Sequence, residues 1–101
     1  MSKVSMAATF TCADGKADEM DAVLRAQVAA AADLDGVEVY SYHRGEGNQY
    51  SFFALVSSME AMQGHGEAES LKDEMPALMN LLAGPPQMSV YSPVAAVGLD
   101  I

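Results

Sequence analysis

Asn48-Gln49-Tyr50-Ser51-Phe52-Phe53-Ala54-Leu55-Val56-Ser57-Ser58-Met59-Glu60-Ala61-Met62-Gln63-Gly64-His65 is the stretch that decides the fold. Tyr50, Phe52, Ala54 and Val56 alternate with Ser51, Phe53 and Leu55, so aromatic and branched residues fall on both sides of an extended segment. That pattern predicts a central strand covered on both faces. Ser57-Ser58 then offers a helix N-cap with Glu60 in the first turn, and Gly64-His65-Gly66 ends the helix. The strand thus delivers a histidine to the rim of whatever it covers.

Working outward, Val37 to Arg44 reads as a second strand, joined to the first by the turn Gly45-Glu46-Gly47-Asn48. Strands joined so tightly are antiparallel neighbours. Simple alternation puts Val37, Val39, Ser41 and His43 on one side and Glu38, Tyr40, Tyr42 and Arg44 on the other. Upstream, Val4 to Thr11 alternates Val4, Met6, Ala8 and Phe10 with small or hydroxylated residues. A helix follows from about Lys16 to Ala32, with an apolar stripe at Met20, Val23, Leu24, Val28 and Ala31 and acidic residues at its start. Downstream, Glu67 to Leu82 is helical in its spacing of Leu71, Met75, Leu78 and Leu82. Pro76 either kinks that helix or sits in the first turn of a new one capped by Asp73. Met88 to Val94 is the last strand, and Ala95 to Ile101 is an apolar tail.

The order strand, helix, strand, strand, helix, strand predicts an α+β, ferredoxin-like βαββαβ domain over residues 1–101, an antiparallel four-stranded sheet with helices on one face. Nothing is left in the chain to cover the other face. A second copy of the sheet can do so, which predicts a homodimer packed sheet on sheet with the tail reaching its partner.

Composition narrows the function classes. The net charge of −9, from 14 acidic and 5 basic residues, disfavours nucleic acid and anionic membrane surfaces as partners. No apolar run has the length of a signal peptide or membrane helix, and Cys12 has no partner for a disulfide, so a cytoplasmic location is expected. Cys12 reads as a small apolar strand residue or a reactive thiol. The eight methionines read as core filler or as an adaptable pocket wall. Gly45-x-Gly47 and Gly64-x-Gly66 lack the context of a nucleotide loop. His43 and His65 have no cysteine or spaced carboxylate to complete a metal set, and Glu67-Ala68-Glu69 reads as a solvated helix start.

The Gly36-Val37 entry with Tyr40 and Arg44, the strand Tyr50 to Val56, the phrase Ser58 to His65, Leu81-Leu82-Ala83-Gly84-Pro85 and Tyr91-Ser92-Pro93-Val94 together resemble the antibiotic biosynthesis monooxygenase domain family, dimeric α+β barrels that include quinol monooxygenases. The likeness spans about residues 4 to 97. It implies a homodimeric α+β barrel, a pocket between sheet and helices, no metal or organic cofactor, and oxidation of a small aromatic or quinol-like substrate by molecular oxygen. In that chemistry the protein supplies orientation, a proton acceptor and a dry cavity. The resemblance carries His65 over as the catalytic acid–base; Tyr40, Tyr42, Tyr50 and Phe52 are the expected substrate-binding residues. The four tyrosines, Tyr91 included, either hydrogen-bond a phenolic substrate or are sheet residues whose hydroxyls reach the surface. The chain departs from the family at Ala54 and Val56, where many members carry an acidic and an aromatic residue, and in Gly66-Glu67-Ala68-Glu69-Ser70, which lacks the serine and second histidine that often follow His65. It has no tryptophan, which argues against the haem-degrading branch. The departures leave a second reading, a non-catalytic homodimer that binds a small apolar or aromatic ligand.

Overall fold

The computed structural model of the chain describes residues 3–67 and 75–99. In order the elements are β1 (Val4–Thr11), α1 (Ala17–Ala31), β2 (Val37–Arg44), β3 (Gln49–Val56), α2 (Met59–Glu67), α3 (Met75–Asn80) and β4 (Gln87–Tyr91). The strands form one antiparallel sheet in the order β2-β3-β1-β4. This is the expected ferredoxin-like α+β arrangement, with its second helical region carried by α2 and α3. Among the described residues no helix is long and apolar enough to cross a membrane.

The core lies between the sheet and the helices. Val4, Met6, Ala8 and Phe10 of β1 and Tyr50, Phe52, Ala54 and Val56 of β3 are all buried there against Met20 and Leu24 of α1 and Leu78 of α3. α1 buries Met20, Leu24, Gln27 and Ala31, a spacing of four, three and four that keeps one stripe inward. Gln27 was not in the stripe read from apolar residues alone.

Local chemistry explains the ends of the elements. Ser58 Oγ accepts the Ala61 N–H at 3.0 Å, the expected cap of α2. That helix continues through Gly64 and Gly66 to Glu67 rather than stopping at them. Pro76 is the second residue of α3, in the first turn, where its missing N–H costs no helical bond. Leu71, Asp73 and the pair Ala68-Glu69 lie outside the described residues. Gly36 has φ +83° and faces α2 so closely that a Cβ would stand 2.7 Å from that of Ala61; only glycine satisfies both demands.

Two sequence expectations are corrected. β2 carries a bulge, Val37 pairing with Val56 and Val39 with Leu55. The extra residue, Glu38, moves Val37 onto the side of Tyr40 and Tyr42 instead of that of Val39. The last strand ends at Tyr91, not Val94. Tyr91 pairs with Ser5, one residue from the start of β1, so a β4 reaching Val94 would run past the end of its neighbour, and Pro93 has no N–H to offer.

The side of the sheet away from the helices is uneven. Leu55 is 1% and Ser5 8% exposed, and Ala7, Val39 and Phe53 are half-buried. Thr9, Thr11, His43 and Ser51, at the other end, are exposed. The two-sided apolar character read in β3 therefore holds for its second half. Val94 and Val97, in the tail, are fully exposed.

Candidate functional site

A cavity of about 360 Å³ lies between the sheet and the helices. Its floor is the helix side of the sheet: Met6, Ala8 and Phe10 from β1, Tyr40 and Tyr42 from β2, Phe52 from β3, Met88 and Val90 from β4. Its roof is Met62 of α2 with Met75, Leu78 and Met79 of α3, and Leu82 and Pro86 beyond. The volume falls in the range of small-molecule sites. Among the described residues the only oxygen- or nitrogen-bearing side chains that line it are the two tyrosines.

The sheet register brings the aromatic residues together. Tyr42 is the cross-strand partner of Phe52, and their rings lie 4.8 Å apart. Tyr40 meets Phe52 edge to face at 4.9 Å and Tyr42 at 5.8 Å. Phe10 stands edge-on to Tyr42 at 6.1 Å and stacks on Tyr50 at 5.4 Å. Each such pair contributes roughly 0.5–1.5 kcal/mol beyond area burial, so the floor is held stiffly.

The Tyr42 hydroxyl donates to Gln27 Oε1 at 2.5 Å, and the Gln27 amide nitrogen lies 3.6 Å from Met75 Sδ. Tyr40 and Tyr42 hydrogen-bond each other. Burial pushes the Tyr42 phenol far above the ordinary range, and its neighbour Tyr40 adds to the effect. Burial also raises Tyr40, partly offset by its bond to Tyr42. Both are therefore neutral phenols at any physiological pH, hydrogen-bonding groups rather than bases.

Three of the four expected substrate-binding residues, Tyr40, Tyr42 and Phe52, meet at this cavity. Tyr50 does not line it. Tyr50 shares the helix side of the sheet, but its hydroxyl donates to Asp21 Oδ1 at 2.7 Å and approaches Ala17 O at 3.3 Å, beyond the wall made by Phe10. The other Asp21 oxygen takes Arg44 at 3.1 Å. His65 stands in the last turn of α2; its side chain lies outside the described residues. Tyr91 is 55% exposed on the other side of the sheet. His43 is exposed, 3.0 Å from Ser41 Oγ. Cys12 is 1% exposed in the core, where burial pushes its thiol up, so it is the small apolar residue rather than the reactive one. Among the described residues no group of three or more potential metal ligands forms. A larger, shallower depression of about 510 Å³ beside the β2–β3 hairpin is lined by Thr9, Thr11, His43, Arg44 and Ser51 among others, and brings no acid–base pair together.

The methionines are mainly wall. Met6, Met62, Met75, Met79 and Met88 line the cavity, and Met75, Met79 and Met88 are about half exposed at its mouth. A flexible, polarisable rim adapts to a flat ligand at little cost. Gln27 is the buried polar residue behind the cavity wall that sequence reasoning missed. Its signal was present, since a glutamine in an otherwise apolar stripe needs a buried partner.

Neither a protein-family model nor a curated relative matches the sequence. Solved structures do match. A candidate antibiotic biosynthesis monooxygenase from Caulobacter crescentus CB15 superposes with a TM-score of 0.87 at 26% identity, over 93% of this chain and 92% of that one. Rv0793 from Mycobacterium tuberculosis gives 0.86 at 20% identity, over 96% of this chain and 100% of that one. SnoaB, a cofactor-independent oxygenase from Streptomyces nogalater, gives 0.85 at 17% identity, over 98% of this chain and 100% of that one. Fold and resemblance therefore agree: the chain shares the fold of all three structures and is similar to the Caulobacter protein named an antibiotic biosynthesis monooxygenase.

Proposed function

We propose that the chain is a cofactor-independent monooxygenase that oxidises a small aromatic, quinol-like molecule with molecular oxygen. The observation that carries this reading is the apolar cavity whose polar side chains, among the described residues, are two adjacent phenols. A flat ring fits between Phe52 and the methionines, and a ring hydroxyl meets Tyr40 and Tyr42. The likeness to a structure named a cofactor-independent oxygenase supports the reaction class. For a quinol, one atom of oxygen enters the ring and the other leaves as water. The substrate supplies all four electrons, and the product is the hydroxyquinone. The chain's own part is to bind and orient the ring, exclude water, and take the hydroxyl proton that starts the reaction. His65 is the proposed acceptor of that proton, three residues after Met62 of the cavity roof. The proposed assembly is a homodimer joined through the apolar half of the open sheet face, with Val39 and Phe53 in the contact.

Oxygen uptake with a panel of quinols and anthrone-type phenols tests the proposal. Wild type turns over at least one of them, and His65→Ala slows it by about 10²–10⁴-fold, the usual worth of a positioned acid–base. No uptake by wild type with any member would overturn it. The second reading, a ligand-binding protein without chemistry, is favoured by Ala54 and Val56, both fully buried, at the positions nearest to those where many members of the resembled family carry an acidic and an aromatic residue. It predicts saturable binding of the same molecules with no oxygen consumed.

A further inference from the structure

Five of the eight methionines line one cavity, and they divide by exposure. Met6 is buried in the floor. Met75 and Met79 of α3 and Met88 of β4 are about half exposed at the mouth. The sheet face proposed above for the dimer contact is the opposite one, so the rim stays open to solvent. Two methionines outside the cavity serve as references. Met20 is fully buried on α1, and Met59, at the start of α2, is as exposed as the rim. Met75 has a further feature. The amide nitrogen of Gln27, a fully buried residue, lies 3.6 Å from its sulfur. A thioether is a weak acceptor, so that N–H is poorly used. Among the described residues, neither Met79 nor Met88 has such a donor beside it.

We infer that Met75, Met79 and Met88 form a modification site for hydrogen peroxide, and that their oxidation to sulfoxides closes the cavity to apolar molecules. In the step the peroxide O–O bond breaks. One oxygen forms an S–O bond with the thioether lone pair, and the other leaves as water. Sulfur is oxidised by two electrons and peroxide is reduced by two. The rim then carries polar S–O groups where it carried apolar sulfur. An apolar ring can pass only by stripping water from them, which is costly. Met75 adds a second effect, because its new oxygen is a good acceptor for the waiting Gln27 N–H and is held in the wall. The inference rests on the cavity being the ligand site, as proposed above, and names a regulation of that site. A quinol that hands oxygen two electrons rather than four leaves as the quinone and releases hydrogen peroxide, so failed turnovers supply the oxidant at the mouth itself. Peroxide from any other source acts in the same way.

The test pairs peptide mass spectrometry with titration by prodan, a neutral naphthalene dye that brightens in an apolar site. Limited treatment with hydrogen peroxide should add one oxygen to each of Met59, Met75, Met79 and Met88, with Met6 and Met20 slower by about tenfold or more. Prodan affinity should fall about tenfold, while circular dichroism stays unchanged. Met59→Leu should leave that fall as it is, because Met59 does not line the cavity. The triple variant Met75→Leu, Met79→Leu, Met88→Leu keeps an apolar rim, and peroxide should weaken its dye binding by less than about twofold. If the triple variant does not fold, oxidised Met59→Leu is treated instead with methionine sulfoxide reductases for both epimers, and its affinity should return. Unfolding on oxidation, affinity that survives oxidation of the rim, an equal fall in the folded triple variant, no return after reduction, or no dye binding to the untreated protein would overturn the inference. The two proposals fail separately. Affinity lost on rim oxidation without oxygen uptake from any quinol leaves this one standing and removes the monooxygenase, and uptake with affinity that survives oxidation does the reverse.

Discussion

Tyr42 and Tyr50 lie on the same side of the same sheet, on adjacent strands, and both phenols are hydrogen-bonded to α1. Their surroundings differ in what takes the proton. Tyr42 gives its hydrogen to the neutral amide of Gln27, which is wholly buried. Tyr50 gives its hydrogen to Asp21, a carboxylate at the surface that also holds Arg44. Burial first, and then the Asp21 bond, pushes the Tyr50 phenol up to about 12; burial and Tyr40 carry Tyr42 further in the same direction. Tyr42 faces the cavity between sheet and helices, and Tyr50, outside it, fastens β3 to α1. Residue type and sheet face are shared, so neither predicts the role; the partner on the helix does.

Phe10 is the partition between them. It is 8% exposed, stacks flat on Tyr50 and stands edge-on to Tyr42. Phe10→Ala breaks the comparison outright by opening the cavity towards the Asp21 cluster. Deleting a buried phenyl group costs about 3–5 kcal/mol. Chemical denaturation should show a loss of that size, and any ligand affinity should fall with it. A loss below about 1 kcal/mol would mean that the wall carries little of the core.

The matched pair Tyr42→Phe and Tyr50→Phe sharpens the contrast. Tyr42→Phe leaves the Gln27 carbonyl buried without its donor, at a cost of about 1–3 kcal/mol, and removes one of two polar groups from the cavity. Oxygen uptake, measured as kcat/KM on a quinol that wild type turns over, should fall about tenfold for Tyr42→Phe and stay within about twofold for Tyr50→Phe. Equal losses in the two variants would erase the distinction between cavity and fastening.

The sequence carried much of the fold because its signals were local. The alternation in Tyr50 to Val56, the tight Gly45 to Asn48 turn and the Ser58 cap each act within a few residues, and all appear in the structure. The site was less legible. Alternation placed Tyr40 with Tyr42, and Tyr50 with Phe52, but the meeting of the two pairs depends on register between strands. The bulge at Glu38 rests on a register shift that no single residue announces. The separation of Tyr50 from the cavity follows from Phe10, which is close in space and far in sequence. Gln27 was readable in principle, as a polar residue at an inward position of Met20, Leu24, Gln27 and Ala31.

The smallest effect concerns Asp21, whose carboxyl is held below its usual range first by the Tyr50 hydroxyl, against the opposing effect of burial, and then by Arg44. A carboxylate whose folded pKa is depressed stabilises the protein fully above its unfolded value and loses that contribution as pH falls through the folded one. In wild type part of the acid destabilisation below about pH 4 should therefore come from protonating Asp21. Tyr50→Phe removes the largest cause of the shift, so the folded pKa returns towards the ordinary one and this part of the acid limb flattens. Tyr42→Phe has no carboxylate to release, so its curve of melting temperature against pH should run parallel to that of wild type, displaced downward throughout. Thermal melts from pH 7 to pH 3 on the three proteins read this directly. A flattened limb in Tyr42→Phe, or an unchanged one in Tyr50→Phe, would mean that the two hydroxyls do not divide between amide and carboxylate as their distances indicate.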